Sequence, residues 1–232
     1  MIYIATHTDF NEYKKEGDYT IIAKEPLKKN YSFPVMVADN ELSPMQFAYS
    51  EGFLITDIYH KTHDEWVGLN HYRRYFESPK ETTILPTPMR VNMHQQFASC
   101  HNINDLIQCE KIIDEYFPDY SMDYAGINEL YICNMFIMKR EDFEKYYEFV
   151  FGVLQKFNEQ NNLHTDEDVY NYVQNNHKKG LYGNKPIDVK YQARLQGFLM
   201  ERLGTIFFVK YFKDKPIEYR TIHIVADKIR NY

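Results

Sequence analysis

The chain has 232 residues, of which 44% are hydrophobic and 26% charged, a balance that suits a soluble globular protein and excludes collagen, coiled coil and general disorder. At roughly 100–200 residues per domain, the length suits one domain spanning 1–232, with a core large enough to fold without disulfides. The net charge of −6 offers no basic stripe for nucleic acid.

Ile2–Thr6 reads as a short buried strand that ends in polar residues, Thr6 and His7. The opening MIYIATH is strand-like rather than a secretory signal, and no apolar run approaches the ~18–20 residues of a membrane span. Residues 20–23 and 35–38 are further strands, the second followed by Asp39. Ser43 and Pro44 are a helix start, N-cap then N1, and the helix runs to about His60 with Phe47, Leu54 and Ile58 on one face. Residues 65–72 and 82–85 read as strands. Residues 104–117 form an amphipathic helix capped by Asn104, which Pro118 ends. Residues 130–138 are the most apolar run and suit a central strand. Residues 140–158 form a long helix and residues 166–174 a short one. Residues 175–186 read as a loop, 190–208 as a last helix, and 217–225 as a final strand or extended tail. Strands alternating with helices, some strands wholly apolar, predict an α/β three-layer αβα sandwich with a mostly parallel central sheet and a helical C-terminal part. In such sheets ligands bind beyond the carboxyl ends of the strands.

Three segments put polar residues at such places: Thr6-His7; Asn70-His71-Tyr72-Arg73-Arg74; and Asn134 inside an apolar run. A polar residue buried in apolar surroundings is either hydrogen-bonded or functional. Arg73-Arg74 suits an anion clamp, because guanidinium matches the bidentate geometry of phosphate oxygens; the alternative is a pair of surface ion pairs. Tyrosine is abundant, 21 residues, and either fills the core or builds a sugar- or nucleotide-binding surface. Cys100, Cys109 and Cys133 are odd in number, lack metal-ligand spacing and suit a reducing cytoplasm. There is no HExxH, no glycine-rich phosphate loop and no GxSxG. The acidic cluster Asp166-Glu167-Asp168 sits at a helix start, where carboxylates favour the dipole.

The segment Val67-Gly68-Leu69-Asn70-His71-Tyr72-Arg73-Arg74-Tyr75-Phe76 resembles the GLxHYRRYF signature of a bacterial capsular and exopolysaccharide glycosyltransferase family, catalogued as domain of unknown function 4422. The opening IYIATH resembles that family's first strand. Asn134-Met135-Phe136-Ile137-Met138-Lys139 resembles its NMFIMKKxxF block. Tyr191 to Leu203 resembles its YxxRxxGFLxERL block. Ser50-Glu51 and His101 before Asp105-Leu106 are weaker matches. The resemblance implies a GT-A-like fold and a UDP-sugar donor, with galactofuranose among the sugars that members transfer. It also implies a saccharide acceptor, lipid-linked and part of a growing surface polysaccharide, reached from the cytoplasmic face by at most peripheral membrane contact. The family's helix before the signature is Trp-rich, whereas here it reads ITDIYHKT, a departure that touches acceptor identity.

On that reading Thr6 and His7 line the uridine pocket, and Asp39 accepts from base or ribose or is an ordinary turn residue. His71, Arg73 and Arg74 stand where a GT-A enzyme carries its metal-binding Asp-x-Asp, and Asn70 and Tyr72 beside them are further candidates for donor binding. Cations there neutralise the diphosphate directly, so no metal ligand is assigned; a lone carboxylate with a histidine holding Mg²⁺ or Mn²⁺ is the alternative. Asn134 faces the sugar or acceptor, or is a satisfied core amide. Arg194, Glu201 and Arg202 share a helix face and either reach the diphosphate or form an ion-pair network. Glu51, Asp123 and Glu201 are unranked candidates for the catalytic base. Two other classes stay open: a non-catalytic carbohydrate-binding module, and a metal-dependent phosphodiesterase built on His7, His71 and His101.

Overall fold

The structure, a computed structural model, describes residues 1–12, 18–76, 81–177, 179–182 and 185–225. The strands are β1 (Ile2–Thr6), β2 (Tyr19–Ala23), β3 (Val35–Val37), β4 (Trp66–His71), β5 (Arg74–Tyr75), β6 (Ile84–Pro86), β7 (Phe136–Lys139), β8 (Leu181–Tyr182), β9 (Lys185–Pro186), β10 (Glu218–Arg220) and β11 (His223–Ile224). The helices are α1 (Gln46–Tyr49), α2 (Gly52–Lys61), α3 (Met93–Cys100), α4 (Ile103–Tyr116), α5 (Arg140–Asn161), α6 (Asp166–Asn176), α7 (Val189–Gln192) and α8 (Leu195–Tyr211).

The main sheet runs β10-β6-β7-β4-β1-β2-β3. β1, β2, β3 and β4 are mutually parallel; β7 runs against its neighbours β4 and β6, and off this path β5 pairs antiparallel with β4 and β11 antiparallel with β5. This is the expected α/β class with a mostly parallel central sheet. β1 is buried along its whole length, as a continuous apolar strand inside a parallel sheet must be.

The two faces of the sheet are covered differently. Tyr3, Ala5, Ile22, Val67, Leu69, Phe136 and Met138 face the large core, to which all eight helices contribute. Ile2, Ile4, Tyr19, Ile21, Ile84 and Ile137 face a smaller cluster closed by Phe10, Tyr72, Phe76 and Met135. Among the described residues that second cluster is strand and loop, so the expected helical layer on this face is replaced by connecting segments. α8 lies deep in the first layer: it is apolar on nearly every side and buried from Leu195 to Phe208 on most of its positions, the pattern of a core helix.

Several elements depart from the periodicity that announced them. The helix expected from Ser43 to His60 breaks at Ser50, which takes φ +53°, into α1 and α2. The cap of α4 is Asn102, whose side chain accepts from Asn104 N–H. The run 130–138 becomes strand only from Phe136, in β7 (Phe136–Lys139); Cys133 and Asn134 precede it in a left-handed turn, φ +70° and +49°. The last helix divides at Ala193 and Arg194 into α7 and α8. α3 was not foreseen, and part of the expected loop 175–186 pairs as β8 and β9.

Gly68 sits in β4 between β1 and β7. A Cβ there would stand 2.9 Å from Ile2 Cγ1 and 3.2 Å from Ile137 Cγ1. Gly68→Val should therefore overpack the second face and lower stability by about 1–3 kcal/mol, read as a lower urea midpoint with an unchanged slope. A midpoint equal to wild type would contradict this packing.

Candidate active site

A cavity of about 520 Å³ opens at the carboxyl ends of β1, β2 and β4, the place where parallel α/β sheets hold ligands. β1 delivers Thr6 and His7, β2 is followed by Lys24 and Glu25, and β4 delivers His71 and Tyr72. The α1–α2 junction adds Phe47, Ser50 and Glu51, the start of α6 adds Asp166, and the start of α8 adds Arg194.

Each wall has a local cause. The Asp166 carboxylate accepts from Phe47 N–H at 3.1 Å and Ala48 N–H at 2.9 Å, which fastens α6 to α1. Both oxygens of this acidic-cluster residue are thereby used in building the wall. Lys24 Nζ donates to Gln46 O at 2.6 Å. Tyr72 meets His7 edge to face, ring centroids 5.2 Å apart. Ser50 occupies a backbone region that favours glycine, at a cost of about 1–3 kcal/mol. Arg194 Nε donates to Ser50 Oγ at 2.8 Å. Gly197 lets α8 approach the same turn, since a Cβ there would stand 3.1 Å from Ser50 Cβ and Oγ. The turn aims Glu51, one residue later, into the cavity.

The charges inside are coupled. Burial alone would raise the Glu51 carboxyl, but His71, Arg194 and Lys24 outweigh it and hold it below the ordinary carboxylate value. Its Oε1 lies 3.9 Å from His71 Nδ1. Burial pulls Lys24 below the ordinary lysine value, Arg194 adds to this, and Glu51 and Asp166 oppose it. Burial likewise lowers His7, helped by Lys24, Arg73 and Arg194 and opposed by Glu51. The cavity thus sets the Glu51 carboxylate, held below its ordinary value, beside Lys24 and Arg194 in a partly water-excluded space that Glu25 and Asp166 also line.

A notch of about 30 Å³ adjoins the cavity, sharing Glu51 and Arg194 with it and adding Asn134, Gly197, Phe198 and Glu201. Glu201 Oε1 accepts from Cys133 N–H at 2.8 Å, and its Oε2 accepts from Arg202 at 2.9 Å.

Of the residues singled out in the sequence, Thr6, His7, Glu51, His71, Tyr72 and Arg194 meet in the cavity, and Asn134 and Glu201 in the notch. Arg73 is exposed, its guanidinium 4.8 Å from the Tyr72 ring centroid, and Arg74 is in β5, paired with β11; neither lines the cavity. Asn70 is buried on the second face, its Oδ1 accepting from Phe76 N–H. Asp39 is exposed beside α2. Asp123 caps a turn by accepting from Gly126 N–H and lines a separate open hollow with Arg90 and Glu129. Arg202 is buried and bonds Glu201, Phe198 O and Gln96 Oε1. His101 is buried among Phe97, Tyr191 and Phe198, apart from His7 and His71. Among the described residues no three His, Cys, Asp or Glu side chains converge as a metal ligand set. Lys24, Glu25, Phe47 and Phe198 were missed. Lys24 and Glu25 had a signal, since they directly follow a strand that the sequence announced.

Residues 79–175 match the family described as a domain of unknown function, DUF4422. This is the family to which the motifs pointed. The DUF4422 match includes Asn134–Lys139 and Asp166; the GLNHYRRYF segment precedes it, and Arg194 and Glu201 follow it. No curated protein matches the chain. Among solved structures the chain resembles the apo form of WbbM, described as a bifunctional glycosyltransferase, with a TM-score of 0.70 over 97% of this chain and 16% identity. The chain spans 45% of that protein's length. At this identity the likeness shows a shared fold. No helix among the described residues is long and apolar enough to cross a membrane.

Because burial is the largest influence on His7 and Lys24 the next, Lys24→Met should raise the His7 titration midpoint while leaving it below the ordinary value of about 6.5. NMR titration of the imidazole checks this, and an unmoved midpoint would contradict the coupling.

Proposed function

We propose that the chain is a nucleotide-sugar-dependent glycosyltransferase domain spanning residues 1–232. The observation that carries this reading is the cavity itself: at the carboxyl ends of three parallel strands, it sets the ionised Glu51 beside Arg194, Lys24 and His71. Glycosyl transfer from a nucleoside diphosphate needs both elements, cations for the departing diphosphate and a carboxylate for the acceptor proton. The fold shared with WbbM and the DUF4422 match support the same reading.

In this account the nucleotide lies over the strand ends, with Thr6, His7 and Tyr72 against it and Phe47 as an exposed ring for stacking. Lys24 and Arg194 meet the diphosphate, and Arg73 and Arg74 add positive field from the rim. Glu51 is the base, because of the three carboxylate candidates it alone lines the main cavity. Charge neutralisation is assigned to these cations. The donor nucleotide is UDP and the reaction is hexosyl transfer, galactofuranose being the sugar the family resemblance suggests. The acceptor is a lipid-linked, growing surface polysaccharide in a bacterial cytoplasm. A binding module needs no carboxylate among cations, and a His-based phosphodiesterase would need His101 beside His7 and His71.

Calorimetric titration with UDP tests this reading. Wild-type protein should bind, with Mn²⁺ changing the affinity only a few-fold. Lys24→Met should weaken binding about tenfold or more, equivalent to about 1.4 kcal/mol, and Arg73→Ala/Arg74→Ala less. No binding, or a strict Mn²⁺ requirement, would contradict the assignment.

A further inference from the structure

The notch beside the cavity has a shape and chemistry of its own. At about 30 Å³ it is far smaller than the main cavity of about 520 Å³. It has room for a small polar group such as a hydroxyl. Its floor is bare backbone at Gly197, where a side chain would strike Ser50. One wall is the partly buried Phe198 ring, with the Arg194 guanidinium 5.5 Å from its centroid. Asn134 also lines it.

The polar groups differ in availability. Both Glu201 oxygens accept hydrogen bonds, from Cys133 N–H and from Arg202. Glu201 therefore serves to hold the Cys133–Asn134 turn, in which both residues have left-handed φ. Two consecutive left-handed residues without glycine persist only when their surroundings fix them. Here the fixing bond comes from α8, the helix that also holds Ser50. Asn134 and Glu51 are thus brought to one notch by two strained turns braced from a common helix.

We propose that this notch is the acceptor subsite of the transferase: it takes the attacking hydroxyl of a saccharide between Asn134 and Glu51. The proposal rests on the transferase reading above and deepens it. Asn134 orients the hydroxyl, its amide offering both a donor and an acceptor. The Glu51 carboxylate takes the hydroxyl proton. The acceptor oxygen forms a bond to the anomeric carbon of the donor sugar as the bond from that carbon to the diphosphate oxygen breaks. The departing diphosphate keeps the electron pair, facing Arg194 and Lys24. Because the notch and the cavity share Glu51 and Arg194, the nucleophile and the leaving group are served from one set of residues.

The test uses Asn134→Gly, which removes the amide and suits the positive φ, so the turn is kept. Saturation-transfer NMR is run at saturating UDP with a panel of methyl hexosides: the α- and β-galactopyranosides, the β-galactofuranoside, the α-glucoside and the α-mannoside. At least one should receive saturation from wild-type protein, and that signal should fall about tenfold in Asn134→Gly. UDP affinity, measured on the same samples, should stay within about twofold. Equal hexoside signals in the two proteins, or none with wild type while UDP binds, would overturn the subsite alone. An Asn134→Gly loss of UDP affinity would place Asn134 on the donor side and also overturn it. Failure of wild type to bind UDP would overturn the transferase reading, and the subsite with it.

Discussion

Two hydrogen bonds at α8, one from Arg194 Nε at its N-terminal cap to Ser50 Oγ and one from Cys133 N–H to Glu201, carry the candidate site. Each fixes a turn whose residues sit at positive φ without glycine. Conformations of this kind cost about 1–3 kcal/mol each and survive where packing over-determines them. α8 supplies that packing because it is apolar nearly all round and buried in the large core. Its first turns reach the strand ends, while its remainder is locked against α5 and the aromatic side chains beneath. The site is therefore precise for the reason the core is stable.

The unequal covering of the sheet has a matching consequence. The helical layer on one face concentrates rigid elements, and the cavity opens where α1, α2, α6 and α8 come up to the carboxyl ends of β1, β2 and β4. The other face is closed by connecting segments, including the β4–β5 hairpin that contains Tyr72 and Arg73. Tyr72 reaches the cavity from that hairpin, so the two faces meet at one residue of the site.

Much of this was legible in the sequence because strand ends are marked by simple signals. An apolar β-branched run followed by Thr6 and His7, and another followed by His71 and Tyr72, place those residues beyond a parallel sheet wherever the helices fall. The same rule applied to β2 reaches Lys24. The Arg73-Arg74 pair was the more conspicuous cation source, but the tight hairpin turns both out of the cavity. The breaks were hidden for a physical reason. The apolar spacing of Phe47, Leu54 and Ile58 runs through Ser50 unchanged, and Ser50 is neither Gly nor Pro. The apolar run around Cys133 and Asn134 likewise hides a turn, although Asn tolerates left-handed φ better than most residues. Long-range bonds to Arg194 and Glu201 decide both turns, and local sequence does not display them.

A crystal structure with UDP bound tests the central claim most directly, that the strand-end cavity holds the donor with its diphosphate at Lys24 and Arg194. The account predicts diphosphate oxygens at about 3 Å, hydrogen-bond distance, from Lys24 Nζ and the Arg194 guanidinium, with the uracil against Thr6, His7 or Phe47. UDP seated in the hollow between Arg90 and Asp123, or on the loop-covered face of the sheet, would contradict it.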